Sequence, residues 1–261
     1  MNEVPAKASC VVIGAGIDGN CLEGHLAALG WTDLVQLDKG PLPNPGGSTG
    51  HASNFIFPTD HNKEMAQLTL ESQRQYIARG VNNECGGIEV ARGEARLEEL
   101  NRRMTSAKAY GIDSLLLSPA EIKKLVPFIN DEIILGGFYT PSVSVVDSLQ
   151  LGTLMREEAV DAGAAAVFAN TEVVDSEVDD GRVRAVVTDR GRIECEHVAI
   201  ACGVWSPRIA AMAGANIPLT PAVHQMADVG PIDILQESNA ELAYPIIRDM
   251  DTFCYERQSS G

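Results

Sequence analysis

The run Gly14-Ala15-Gly16-Ile17-Asp18-Gly19 has the spacing of a turn that cradles phosphate, and an acid, Asp38, follows one strand later. Each glycine has a physical task. Gly14 permits a tight turn, Gly16 lets the backbone approach a pyrophosphate, and Gly19 allows close packing of helix on strand. A helix opening there presents unpaired N–H groups and the positive end of its dipole to the phosphates. Asp38 can accept hydrogen bonds from the hydroxyls of an adenosine ribose. Asp18 is out of keeping: a carboxylate beside an anion site either faces solvent or weakens binding. The motif by itself fits FAD and NAD equally.

Two further places carry chemistry. Gly46-Gly47-Ser48-Thr49-Gly50-His51 closes a stretch dense in turn residues with a histidine. His224 offers an imidazole, a group that could tune the protonation of an amine. The six cysteines, Cys10, Cys21, Cys85, Cys195, Cys202 and Cys254, include no C-x-x-C pair. They point to neither a structural zinc site nor a disulfide framework, and they fit a reducing cytoplasm.

Positioning these residues requires a strand–turn–helix–strand unit. Ser9–Ile13 reads as a buried parallel strand, and a helix follows whose apolar face is Cys21, Leu22, His25, Leu26 and Leu29, closed by Gly30. Leu34–Asp38 is the second strand. Helices are expected over about Asn62–Gly80, over Glu94–Tyr110, from Ser118 (a capping box with Glu121), and over Asp147–Gly163. Strands are expected at Gly87–Ala91, Ile133–Tyr139, Ala166–Ala169, Glu172–Val178, Val183–Thr188 and His197–Ala201, with a hairpin at Asp180-Gly181. This order predicts an α/β core interrupted by an α+β region at about 86–145.

The 261 residues are ample for one large domain or two modest ones, and no segment approaches the length of a membrane span. Nothing between Met1 and Ser9 resembles a secretory signal. A formal charge of −16 argues against nucleic acid as a partner, because phosphate binding needs clustered Lys and Arg.

The Gly14–Gly19 turn, Leu37-Asp38-Lys39-Gly40-Pro41 and the Gly46–Ala52 loop together resemble the dimethylglycine and sarcosine dehydrogenase/oxidase family, flavoenzymes of the D-amino-acid-oxidase-like superfamily. Collinear matches continue through Gly86–Ala91, Leu117–Glu121, Leu135–Tyr139, Ala201–Trp205 and Pro221–Gln225, and they are closest to dimethylglycine oxidase and dehydrogenase. The resemblance implies FAD, held covalently through His51 and the flavin 8α-methyl carbon. It places Gly14, Gly16, Ile17, Asp18, Gly19, Asp38, Lys39, Ser48, Thr49, Gly50, His51, Phe55, Val173 and Gly203 along the cofactor, and Trp205 in the core. His224 and Tyr255 become the catalytic candidates, although Phe253-Cys254-Tyr255 leaves open which aromatic side chain stands by the flavin. Asn54 replaces a usual glycine. The fold implied is α/β: a Rossmann-like FAD-binding domain (1–85 and 146–223) with an inserted α+β substrate domain (86–145 and 224–261), truncated at the C-terminus.

The implied reaction is oxidation of an N-methyl group on a small secondary or tertiary amino acid to an iminium. Oxygen or an electron-transfer flavoprotein would be the acceptor. Tetrahydrofolate would enter only through a C-terminal domain absent here. Other readings are sarcosine dehydrogenase or another amine dehydrogenase, an NAD-dependent Rossmann enzyme, and a non-catalytic relative of the pyruvate dehydrogenase phosphatase regulatory subunit.

Overall fold

A computed structural model describes residues 3–236 and 242–258. Residues 1–2, 237–241 and 259–261, which the expected domain bounds include, lie outside the described residues. Along the chain the strands are β1 Lys7–Ile13, β2 Leu34–Leu37, β3 Phe55–Ile56, β4 Asn82–Glu84, β5 Gly87–Ala91, β6 Leu115–Leu117, β7 Gly136–Thr140, β8 Ser144–Val146, β9 Ala165–Phe168, β10 Val173–Asp179, β11 Arg182–Thr188, β12 Gly191–Ile200, β13 Ile246–Asp249 and β14 Cys254–Glu256. The helices are α1 Ile17–Ala28, α2 Lys63–Ala78, α3 Glu94–Ala109, α4 Pro119–Leu125, α5 Ser148–Asp161, α6 Ser206–Met212 and α7 Asp233–Gln236. Among the described residues no helix is long and apolar enough to cross a membrane.

The chain divides into two compact units, 1–52 with 147–224 and 53–146 with 225–261. Residues 53–85, expected with the first domain, pack with the second unit instead. Their short strands are the reason: β3 and β4 both pair with β8, and these three make a small sheet of their own.

The first unit is built on a six-stranded sheet in the order β10-β11-β12-β1-β2-β9. β12, β1, β2 and β9 run parallel, with Val11 opposite both Val198 and Val35, and Val35 opposite Ala166. Residues Cys10–Ile13 are all buried, as a central parallel strand covered on both faces requires. Side chains alternate between the faces. Val11, Ile13, Val35 and Leu37 join Val173, Val186 and Ile193 in one core cluster, against which Ile209 and Met212 of α6 pack. Cys10, Val12 and Leu34 face Leu26 and Ala27 of α1 on the other side.

β12 is longer than the predicted His197–Ala201 because its first half pairs antiparallel with β11 before its second half joins β1. The Asp180-Gly181 hairpin forms as expected. Both residues have positive φ, 48° and 70°, as a two-residue type I′ turn demands.

The burial of α1 overturns the apolar face expected for it. Gly19, Asn20, Glu23 and Gly24 are buried, whereas Leu22 and His25 are exposed and Leu29 is 78% exposed. Close helix packing explains this. A Cβ at Gly24 would lie 2.9 Å from the Met155 methyl carbon, and one at Gly152 would lie 2.7 Å from Asn20 Nδ2. Small residues on both helices bring α1 against α5, and the neighbours of Gly24 are covered with it.

In the second unit a mixed sheet runs β14-β13-β5-β7-β6. β5 is buried throughout, with Ile88 and Val90 on a cluster that includes Ile122 and Val126, and Ala91 on another with Leu100 and Phe138. The Ser118–Glu121 capping box is present, Glu121 Oε2 accepting from the Ser118 N–H at 2.8 Å. The strand expected at Ile133–Tyr139 begins later, because Asp131–Ile133 is a 3₁₀ turn.

Candidate cofactor site

The site is assembled at the C-terminal edge of β1. Gly14 sits at φ +110°, a backbone angle that disfavours side chains, and a Cβ there would stand 2.3 Å from the Ala201 carbonyl oxygen at the end of β12. Gly19 is needed for a different reason: its Cβ would lie 1.9 Å from the Gly14 carbonyl oxygen. Gly16 is the N-cap of α1 and has only the Thr49 hydroxyl, 3.1 Å from a would-be Cβ, as a near neighbour. The first and third glycines thus fold the turn, and the second leaves it open to a ligand.

Asp38 braces this turn. One carboxylate oxygen accepts from the Ala15 N–H and the other from the Gly40 N–H, both at 2.7 Å. Each oxygen keeps a further lone pair for a hydroxyl donor. Asp18 is exposed. That exposure fits the first of the two expected readings, a carboxylate open to solvent.

The loop that ends in His51 is latched to the same place. Ser48–His51 forms a 3₁₀ turn, and Thr49 Oγ1 accepts from the Ile17 N–H at 3.0 Å, capping the first turn of α1 from 32 residues away. Ser148, at the start of α5, donates its hydroxyl to the Thr49 carbonyl at 2.9 Å. Asn44 supports the loop from within, Oδ1 accepting from the Gly46 N–H at 3.2 Å. His51 is exposed, and its Nδ1 lies 3.0 Å from the Gly47 carbonyl. A carbonyl can only accept, so Nδ1 carries the proton, and in the neutral ring Nε2 keeps its lone pair.

The remaining predicted residues of this unit border the turn. Thr171 donates its N–H to the Asp38 carbonyl at 2.8 Å, and Val173, two residues on, is buried in the core beside Leu37. Gly203 has φ +50° with no atom within 4 Å of a would-be Cβ, so its face is open. Trp205 departs from its expected core position. It is 41% exposed, and Lys39 Nζ stands 4.8 Å from its ring centre. Ser48 and Gly50 are exposed in the loop, where Gly50 lies tight against the Asn44 side chain. His224 lies exposed in the segment 215–232, which has no regular secondary structure.

Burial raises several titratable groups of the chain. Glu23 is pushed up to about 7, with the Arg156 charge opposing the shift. Cys202, whose Sγ lies 3.1 Å from the Ile13 carbonyl, is pushed up to about 11 by burial and by the Asp38 charge. Cys195 also reaches about 11, and Cys10 and Cys85 are raised. All six cysteines are free thiols, and only Cys254 is exposed.

The second unit contains Phe55 and Tyr255, which meet edge to face at 4.7 Å. Phe253, the other aromatic of its triplet, is 87% exposed in the turn before β14. The Arg248 guanidinium stands 4.7 Å from the Phe57 ring centre and 5.7 Å from that of Phe55. Asn54 adopts φ +59°, the left-handed conformation that asparagine tolerates in place of glycine. Sequence reasoning missed Asn44, Ser148 and Arg248, and it also missed the buried polar residues Asn20, Glu23 and Gln36 beneath the turn. Gln36 was the one with a signal, an amide inside an otherwise apolar strand.

Against known families, residues 9–261 match the DAO model, described as FAD dependent oxidoreductase. The chain belongs to this family of FAD-dependent oxidoreductases. Mitochondrial sarcosine dehydrogenase of Mus musculus is 33% identical over 97% of the chain, and the chain spans 28% of that relative's length. The mitochondrial pyruvate dehydrogenase phosphatase regulatory subunit of Mus musculus is 28% identical over 99% of the chain and 30% of the relative. Dimethylglycine dehydrogenase of Homo sapiens is 27% identical over 97% and 29%. Identity to sarcosine dehydrogenase therefore exceeds that to dimethylglycine dehydrogenase, the reverse of the order expected from the motifs. Among solved structures, L-proline dehydrogenase from P. horikoshii superposes with a TM-score of 0.81 at 21% identity, covering 98% of this chain and 68% of that one. The fold is thus α/β of the type these oxidoreductases share.

Proposed function

We propose that this chain forms the FAD-binding part of an amine oxidoreductase that oxidises the N-methyl group of a small amino acid, of the sarcosine or dimethylglycine class. The observation that carries the reading is the latch of the Ser48–His51 turn onto the N-terminus of α1. It sets a loop histidine with a free Nε2 lone pair beside an open glycine turn. The residues fit the cofactor: Gly16 leaves room for a pyrophosphate, Asp38 has lone pairs for the ribose, and Gly203 presents open backbone. Ile17, Lys39, Ser48, Thr49, Gly50 and Val173 complete the cofactor set of this unit, and His51 Nε2 is the atom that would attach to the flavin 8α-carbon.

When bound, the flavin supplies a hydride acceptor. The protein's own groups hold and prepare the amine. A hydride leaves most readily from an amine whose nitrogen lone pair is free, so the role we assign His224 is to favour the deprotonated amine. Tyr255 offers an aromatic wall, and Arg248 places a positive charge at the same aromatic cluster for the substrate carboxylate. The substrate's iminium is hydrolysed by water to formaldehyde and the demethylated amine. The acceptor we propose is oxygen or an electron-transfer flavoprotein.

The similarity to a phosphatase regulatory subunit favours a second, non-catalytic reading. Purification with FAD separates the two. Under the first reading, yellow colour survives acid precipitation, the mass rises by one FAD, and His51→Ala releases the flavin into the supernatant. A wild-type chain that never retains acid-stable flavin would refute covalent attachment. Turnover of sarcosine against dimethylglycine then decides the substrate.

A further inference from the structure

We propose that Glu89 is a positioning residue for Arg248, fixing its guanidinium against Phe55 and Phe57 and so presenting it to the carboxylate of a small amino acid. This rests on the reading of the aromatic cluster as the place of the substrate carboxylate.

Strand register sets the arrangement. Arg248 of β13 stands opposite Tyr255 of β14 on one side and Glu89 of β5 on the other, and Glu89 stands opposite Phe138 of β7. Residues paired across neighbouring strands share a face of the sheet, so one row runs Tyr255, Arg248, Glu89, Phe138. Helix α3 covers the far end of that row. Arg103 Nη1 donates to Glu89 Oε2, and the Arg103 guanidinium stands 6.0 Å from the Phe138 ring centre. Arg248 Nη1 lies 3.9 Å from the same Glu89 oxygen. The near end of the row is open: Arg248 keeps 23% of its side chain exposed, whereas Glu89 is fully buried.

Two guanidiniums share one carboxylate, so the row carries an excess positive charge, and Arg248 is the member that a ligand can reach. Nearby acids do not cancel it. Asp249 is paired with Arg92 at 2.7 Å and Asp251 with Arg96 at 3.0 Å. Among the described residues Glu89 is the one acid within ion-pair distance of Arg248. Glu89 does little else: its Oε1 has no hydrogen-bond partner, and neither has Arg103 Nε. A buried ion pair left incomplete in this way adds little stability over apolar residues of the same shape. What Glu89 supplies is a fixed negative point beside Arg248, while the Phe57 and Phe55 rings, 4.7 and 5.7 Å away, take the guanidinium plane. A planar fork restrained by charge and rings loses less freedom when it binds a carboxylate.

The test follows Arg248 itself, by magnetic resonance on the isotope-labelled full chain. A guanidinium held in this way rotates slowly about its Nε–Cζ bond, so its Nη protons should give separate resonances. Acetate should shift the Arg248 Nε resonance, and acetamide, a neutral molecule of the same shape, should not. Glu89→Asp keeps the charge but draws the carboxylate back by one methylene, which breaks the 3.9 Å contact. The Nη resonances should then merge, and acetate should bind about fivefold more weakly. Arg248→Lys, which keeps the charge without the fork, should weaken acetate at least as much.

These readings need no cofactor, and the wild-type spectra decide even where Glu89→Asp does not fold. A wild-type guanidinium that rotates freely overturns the role of Glu89. Nη resonances or acetate affinity unchanged in a folded Glu89→Asp overturn it as well, because the charge alone would then suffice. A restrained guanidinium that ignores acetate overturns the carboxylate subsite itself. That last result removes the reading of the cluster as the substrate's place, and it is distinct from the loss of Glu89's role, in which acetate still binds.

Discussion

At Gly14 two constraints coincide, a positive φ and a carbonyl oxygen where a methyl group would go. Either alone is costly, and together they leave no rotamer or small shift that relieves the strain. Gly14→Ala should therefore destabilise the first unit by more than about 3 kcal/mol, measured by chemical denaturation, and abolish FAD retention. A variant with near wild-type stability would show that the turn relaxes and that the close approach to β12 is not essential. This residue was legible in the sequence because its role is local: three glycines and an acid at set spacing are a complete description of the turn. Asp38 was only partly legible. Its position was foreseen, but its bracing of the Ala15 and Gly40 N–H groups follows from how the two strand ends fold together.

Helix α1 illustrates where pattern reading fails. Its leucines have helical spacing, yet the face that is buried carries Gly19, Asn20, Glu23 and Gly24. A periodicity argument assumes that apolar area decides which face turns inward. Here backbone proximity decides, because Gly24 and Gly152 let two helices approach closely. The latch at the helix N-terminus was hidden for a related reason: Thr49 and Ile17 are 32 residues apart, and Ser148 reaches Thr49 across 99. No local spacing encodes such contacts. Thr49→Val keeps the shape but removes the acceptor for the Ile17 N–H, so it should cost about 1–2 kcal/mol. Faster hydrogen exchange at Ile17 and weaker flavin retention should accompany that loss. Unchanged exchange at Ile17 would mean that another group caps the helix.

For the molecule as a whole, Glu23 makes stability depend on pH in an unusual direction for a carboxylate. Its folded-state value of about 7 lies above the ordinary 4.5, so the folded protein holds the proton more tightly than the unfolded chain. The contribution is fully present below the ordinary value and is lost as pH rises through about 7. Thermal or chemical unfolding should show a loss of about 3 kcal/mol across that window, absent in Glu23→Gln. Identical pH profiles for the two proteins would exclude the buried carboxyl as the cause. The spread of thiol environments has a practical consequence at this scale. Four cysteines are held up by burial, while Cys254 is exposed and next to Tyr255. A maleimide at limiting dose and neutral pH should mark Cys254 first, as peptide mass mapping would reveal, and early labelling of Cys202 would contradict it. The wild-type chain thus offers its most exposed thiol as a conjugation handle, on which a fluorophore would sense events at the aromatic cluster without engineering.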